Sequence, residues 1–249
     1  MTAAPSASSL LIDARTDRWH VTLNRPQVRN AIDQRMVDEL HEVCAELERE
    51  PRILIISGTG GVFGSGADIR QLLERGREDA LAGINATLFS RIAALPMPVI
   101  AAVDGYALGG GAELAYAADF RLASRSARFG NPETSLGIIA GAGALWRLVP
   151  LVGEPVAKEI LLAGRILNAD EAMALHLVSE VHEAGGLLSA ADALADRILK
   201  GDPLAIQKSK AVLAAARDAH PQADLQAQAI LFESDAKRDR MTAFLEGKR

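Results

Sequence analysis

Two short apolar runs constrain this chain more than any other feature. "PRILIISG" and "MPVIAAVDG" are strand-sized, and each is followed by a glycine-rich stretch that opens a helical pattern. The first continues as "TGGVFGSG" and "ADIRQLLERG", the second as "YALGGG" and "AELAYAA". A short continuous apolar run bounded by turn residues reads as a buried strand. Strands that alternate with helical patterns specify an α/β architecture. The loops "GTGGVFGSGAD" and "VDGYALGGGAE" follow their strands in similar positions. This weak internal repeat predicts two related glycine turns.

The flanking sequence fits the same scheme. "SLLIDARTDRWHVTLNRP" predicts a β-hairpin across the polar "ARTDR", and Pro26 makes "NRPQVRN" a loop. Between Ala31 and Arg49, apolar residues at Met36, Val37, Leu40, Val43, Cys44 and Leu47 recur at helical spacing, with Asp33 as the expected cap. "ATLFSRIAALP" reads as a helix that stops near Pro96. "DFRLAS" reads as a strand and "ARFGNPETSLG" as an extended loop. "AGALWRLVPLVG" and "EPVAKEILLAGR" read as helices, "NADEAMALHLV" as a helix capped by Asn168 or Asp170, and "SEVHEA" as a short strand. From Leu187 onwards only helical patterns remain. A boundary is therefore expected near residue 186, with an α/β core over 1–186 and a helical region over 187–249.

Composition excludes several classes. The 249 residues are 49% hydrophobic and 24% charged, enough for a sizeable core. A net charge of -5 offers no basic patch for nucleic acid. No apolar run reaches the roughly 20 residues of a membrane helix. "MTAAPSASSL" lacks the basic and apolar regions of a signal peptide and reads as a frayed tail. The single Cys44 cannot form an internal disulfide and fits a buried thiol in a reducing compartment, the cytoplasm. A dinucleotide motif beginning at Gly58 needs a glycine where Phe63 stands, and no Walker lysine follows either loop. Ser65 lacks the outer glycines of a nucleophile elbow. The histidines are scattered, and no metal site is expected.

Glycine turns that open helices leave main-chain N–H groups unpaired and carry partial positive charge. Gly66-Ala67 and Gly109-Gly110-Gly111 both precede helical segments. Two such ends facing one another can hold an oxygen that becomes negative during reaction. Taken singly, each is also explained as a tight turn. Glu113 lies in the first turn after the glycines, either as a helix-end acid or as a catalytic carboxylate. Glu133 follows in "FGNPETSLG", beyond a strand that can return the chain to the same cleft. Two carboxylates in one cleft raise each other's pKa, and burial raises both. One can then act as base while the other stays protonated.

These residues sit in stretches that resemble the crotonase (enoyl-CoA hydratase/isomerase) superfamily. The matching segments are "NRPQVRNAI", "GGVFGSGADI", "PVIAAVDGYALGGGAELAYAADFRLAS", "ARFGNPETSLGIIAGAGALWRL" and "FESDAKRDRMTAFLEG", from about residue 10 to the end. The resemblance implies an α/β, crotonase-like spiral of ββα units with a C-terminal helical oligomerisation region. It implies homotrimers or dimers of trimers, an acyl-CoA thioester substrate, and no cofactor, since coenzyme A is part of the substrate. The N–H groups of Ala67 and Gly110 would hold the enolate oxygen. Glu113 would activate water and Glu133 would deliver the α-proton. Arg25, Phe63, Gly66, Ala67, Asp68, Ile69, Gly109 and Gly141 are the implied substrate or CoA contacts. Asp68 is equally explained as a helix cap, and Arg25 as a surface ion-pair partner.

The chain departs from the family pattern in places. Where "PGAGG" is common this chain has "AGAGALWRL", so Ala140, Ala144 and Trp146 differ. Trp146 is expected to pack as an aromatic or, alternatively, to stack on substrate. "DRM" stands where "EGM" is common, and Lys248 and Arg249 are the candidates for a basic CoA contact. Three functional readings follow: an enoyl-CoA hydratase, a Δ3,Δ2-enoyl-CoA isomerase using Glu133 as its single base, and a non-catalytic acyl-CoA-binding protein. The second acid, Glu113, favours hydration.

Overall fold

The computed structural model describes residues 8–247; the first seven residues, Lys248 and Arg249 lie outside the described residues. The chain divides into two compact units, the first ending at Ala193 and the second starting at Leu194.

The first unit opens with the predicted hairpin, β1 (Leu10–Ala14) antiparallel to β2 (Arg18–Leu23). Helix α1 (Gln34–Arg49) buries all six apolar residues that the periodicity singled out. It starts three residues after Ala31 because Ile32 is extended and bridges Ala67. Asp33 caps it, its Oδ1 accepting from the Met36 N–H at 2.9 Å.

Three repeats of a long strand followed by a short one come next. The first is β3 (Ile53–Gly58) and β4 (Val62–Gly64), leading into α2 (Ile69–Glu74), α3 (Arg77–Ala82) and α4 (Ile84–Ala93). The second is β5 (Val99–Val103) and β6 (Tyr106–Leu108), leading into α5 (Gly110–Ala117). The third is β7 (Phe120–Ser124) and β8 (Arg128–Gly130), leading into a 3-10 turn over Glu133–Leu136. Then follow α6 (Ala144–Val152), α7 (Glu154–Ala163), β9 (Leu167–Asn168), α8 (Ala169–Ala174), β10 (Glu180–His182) and α9 (Leu187–Leu199), within which Leu194 lies. Asn168, not Asp170, caps α8, in a reciprocal box with Glu171.

The long strands form one sheet in the order β1-β2-β3-β5-β7-β10, parallel from β2 onwards. The short strands form a second sheet, β4-β6-β8-β9. The chain thus steps from one sheet to the other in each repeat, which is the ββα spiral. The short strands β4, β6 and β8 lie in stretches that read as loops in the sequence. The core lies beneath the first sheet: Leu54, Ile56, Val99, Ala101 and Val103 cluster with Met36, Leu40 and Leu47 of α1 and with Phe89 and Ile92 of α4. Each of these Leu, Ile, Val, Met and Phe side chains contributes ~1.5–3 kcal/mol when fully buried. Cys44 belongs to this cluster, and burial pushes its thiol up to about 12.

One contact welds the two glycine loops together. A Cβ on Gly111 would lie 2.2 Å from the Gly64 carbonyl oxygen. Only a residue without a side chain lets the start of α5 pack on β4.

The second unit holds α10 (Pro203–Leu213), α11 (Gln222–Phe232) and α12 (Asp235–Leu245), in none of which any residue is buried. Asp202 caps α10 and Ser234 caps α12. Among the described residues no helix is long and apolar enough to cross a membrane.

Candidate active site

The two predicted glycine turns meet. Ile32 donates to the Gly66 carbonyl at 2.8 Å, and Asp68 donates to the Ile32 carbonyl at 2.9 Å. In this parallel bridge the N–H of Ala67, the residue between, points to the opposite side. At the other turn Gly109 adopts φ 52° and ψ -127°, and its N–H donates to the Gly130 carbonyl at 2.9 Å. Gly110 is the first residue of α5, and the first intrahelical bond runs from Glu113 N–H to the Gly109 carbonyl. The Gly110 N–H therefore precedes the helical ladder. A Cβ on Gly110 would lie 3.5 Å from the Ala67 nitrogen, so the two amides are neighbours.

Ala67 and Gly110 both line a cavity of about 660 Å³. Gly66, Ile69, Gly109, Gly141, Glu113 and Glu133 line it with Ala67 and Gly110. Three of the expected contacts are placed elsewhere. Phe63 is fully buried in the core. Arg25 ion-pairs with Asp33 at 3.1 Å and Asp68 at 3.3 Å, and its Nη1 donates to the Ala31 carbonyl. At 17% side-chain exposure it is an internal clasp more than a surface pair. Asp68 also caps α2 through the Arg70 N–H. Trp146 neither packs in the core nor lines the cavity: it is 60% exposed, with the Arg147 guanidinium stacked 3.9 Å from its ring centre.

The two acids are held differently. Glu113 is 3% exposed, and its Oε1 accepts from the N–H groups of Ala142 at 2.7 Å and Ala144 at 3.1 Å. Burial raises its pKa to about 7, those N–H donors lower it, and the charge of Glu133 raises it. Glu133 is also buried, and burial raises its pKa too. Its Oε1 meets the Asn131 amide at 3.4 Å, while its buried Oε2 accepts no hydrogen bond among the described residues.

Several supporting groups were not read from the sequence. Asn131 joins three partners: it accepts from the Tyr116 hydroxyl at 3.2 Å and donates toward the Gly109 carbonyl and Glu133. The "AGAGA" run, marked in the sequence only as a departure from the family pattern, supplies the Ala142 and Ala144 donors that cradle Glu113. Arg121 is buried at the far end of α5, donating to the carbonyls of Ala118 at 2.6 Å and Leu177 at 2.8 Å. Burial lowers its pKa to about 10, so it stays cationic at neutral pH beside the negative end of the helix.

One cavity is thus lined by two buried carboxylates, Glu113 and Glu133, and by Ala67 and Gly110, whose N–H groups pair with nothing among the described residues. The sequence pattern of the Enoyl-CoA hydratase/isomerase family matches residues 19–249. The chain belongs to this family. It is 37% identical to a short-chain-enoyl-CoA hydratase of Clostridium acetobutylicum, covering 92% of this chain and 91% of that one. It is 34% identical to a 2,3-dehydroadipyl-CoA hydratase of Escherichia coli, covering 96% of each. The crystal structure of an enoyl-CoA hydratase from Bacillus anthracis superposes with a TM-score of 0.91 at 31% identity, covering 96% of this chain and 97% of that one.

Proposed function

We propose that the protein is an enoyl-CoA hydratase, adding water across the α,β double bond of a 2-enoyl-CoA to give a 3-hydroxyacyl-CoA. The observation that carries this reading is that Glu113 and Glu133 line the same cavity as Ala67 and Gly110. The N–H groups of Ala67 and Gly110 bind the thioester oxygen and draw electron density from the β-carbon. Glu113 takes a proton from water as its oxygen bonds to the β-carbon, and the π electrons move onto the thioester as an enolate. Glu133 gives its proton to the α-carbon, and the enolate returns to a carbonyl. Burial favours the neutral form of both acids; the two N–H donors on Glu113 partly offset this, and the unpaired oxygen of Glu133 suits a protonated carboxyl. The charge of Glu133 raises the pKa of Glu113, and the reaction requires one proton between the two acids.

No cofactor is needed for this redox-neutral reaction; coenzyme A arrives with the substrate. We read the working form as a homotrimer or a dimer of trimers, supported by the unburied helices of the second unit. We place it in the cytoplasm, supported by a single, buried cysteine. The test is loss of conjugated thioester absorbance when the protein is mixed with crotonyl-CoA and with a longer enoyl-CoA. Conversion of a 3-enoyl to a 2-enoyl thioester without hydration would make it the isomerase. Tight CoA-ester binding without turnover would make it a binding protein.

A further inference from the structure

Asn85 takes no part in that mechanism, yet it stands beside it. It lies in the first turn of α4 and lines the same cavity. A Cβ on Gly110 would lie 3.6 Å from Asn85 Nδ2, about as near as the Ala67 nitrogen. The Asn85 Oδ1 is buried and accepts no hydrogen bond among the described residues. Ile69, Leu72, Ile84, Ala86, Ile138 and Ile139 supply apolar lining to the same cavity, and Ser65, Arg75 and Asp79 supply polar lining.

A buried amide oxygen without a donor is costly, and the cost persists under any ligand that brings none. The thioester carbonyl and the enolate oxygen only accept, so neither serves Oδ1. A plain alkyl chain offers nothing. A hydroxyl donates and accepts, and so satisfies Oδ1 and Nδ2 alike. Sites with buried polar groups reject analogues that leave those groups unpaired far more strongly than apolar pockets reject a methylene.

We propose that Asn85 is a specificity-determining residue that selects acyl-CoA thioesters carrying a hydroxyl close to the reacting double bond. The turnover arm of its test rests on the hydratase reading; the binding arm does not.

The substrates to compare are γ-hydroxycrotonyl-CoA and γ-methylcrotonyl-CoA, which have the same number of heavy atoms. The wild type is expected to favour the hydroxyl compound in kcat/KM by about tenfold or more. Asn85→Leu is expected to reverse the preference, and Asn85→Ala, the safer variant for folding, to abolish it. Calorimetric binding of γ-hydroxybutyryl-CoA and valeryl-CoA reads the same order without turnover. Failure of hydration with the binding preference intact would sink the hydratase reading alone. A wild type indifferent to the hydroxyl, or favouring the methyl, would overturn the proposal. An equal loss on both substrates in Asn85→Leu would also overturn it, because Asn85 would then be a further donor to the thioester oxygen.

Discussion

Glu113 occupies surroundings that oppose its own charge. Its ordinary value of 4.5 is raised to about 7 by burial, against the two N–H donors it has gained. A raised folded pKa favours the protonated form. The stability this contributes is complete below about pH 4.5 and is lost as pH climbs through about 7. Glu133 is raised as well and acts in the same direction. Glu113→Gln is therefore expected to stabilise the fold by about 3 kcal/mol near pH 9 and by little near pH 4.5. Urea unfolding at the two pH values reads this; an equal effect at both would contradict it. The same variant should lose ~10²–10⁴ of kcat. Asn131→Ala releases Glu133 and the Tyr116 hydroxyl together. Steady-state kinetics should show kcat falling about ten- to hundredfold, with KM little changed. The two glutamates and the two glycine turns stand out in the sequence because glycine and acid interrupt apolar runs, whereas Ala67 and Gly110 as the particular amides follow from the family resemblance. Asn131 does not stand out: Gly109 and Tyr116 lie at opposite ends of α5, far back along the chain, and no local pattern marks a side chain that joins them to Glu133.

The start of α5 is fixed by main-chain contact. Gly111→Ala drives a methyl into the Gly64 carbonyl, and the obstacle is backbone that cannot rotate away. The change should cost about 1–3 kcal/mol or more in thermal unfolding and lower kcat, because the same turn aims the Gly110 N–H. Gly185→Ala is the control: a Cβ there meets nothing within 4 Å, and stability should hold to within about 0.5 kcal/mol. The long strands β3 and β5 were legible as buried apolar runs, and β7 as a strand. Their short partners were not. β4, β6 and β8 are three residues each, too short to display a period, and β4 and β8 end in glycine. They are strands because neighbouring repeats pair with them, a cause that lies outside any local window.

At the scale of the molecule, the second unit leaves apolar surface uncovered. Leu213, Leu225, Phe232, Phe244 and Leu245 are all at least half exposed. Helical patterns marked these segments as helices, but such a pattern carries no information about what covers them. Light scattering on the purified protein should give three or six times the 26.4 kDa chain mass. A mass of one chain would contradict the proposed assembly. The division of labour in the cavity has a consequence for how such a protein changes over time. Its proposed oxyanion donors are peptide N–H groups, which every residue except proline possesses, and their placement depends on glycines that cannot be enlarged. Point mutation can therefore break the reaction but has almost no way to retune it there. The wall from α2 to α4 is made of side chains, each a separate letter open to substitution. A lineage descending from this chain would keep its chemistry while its substrates drift.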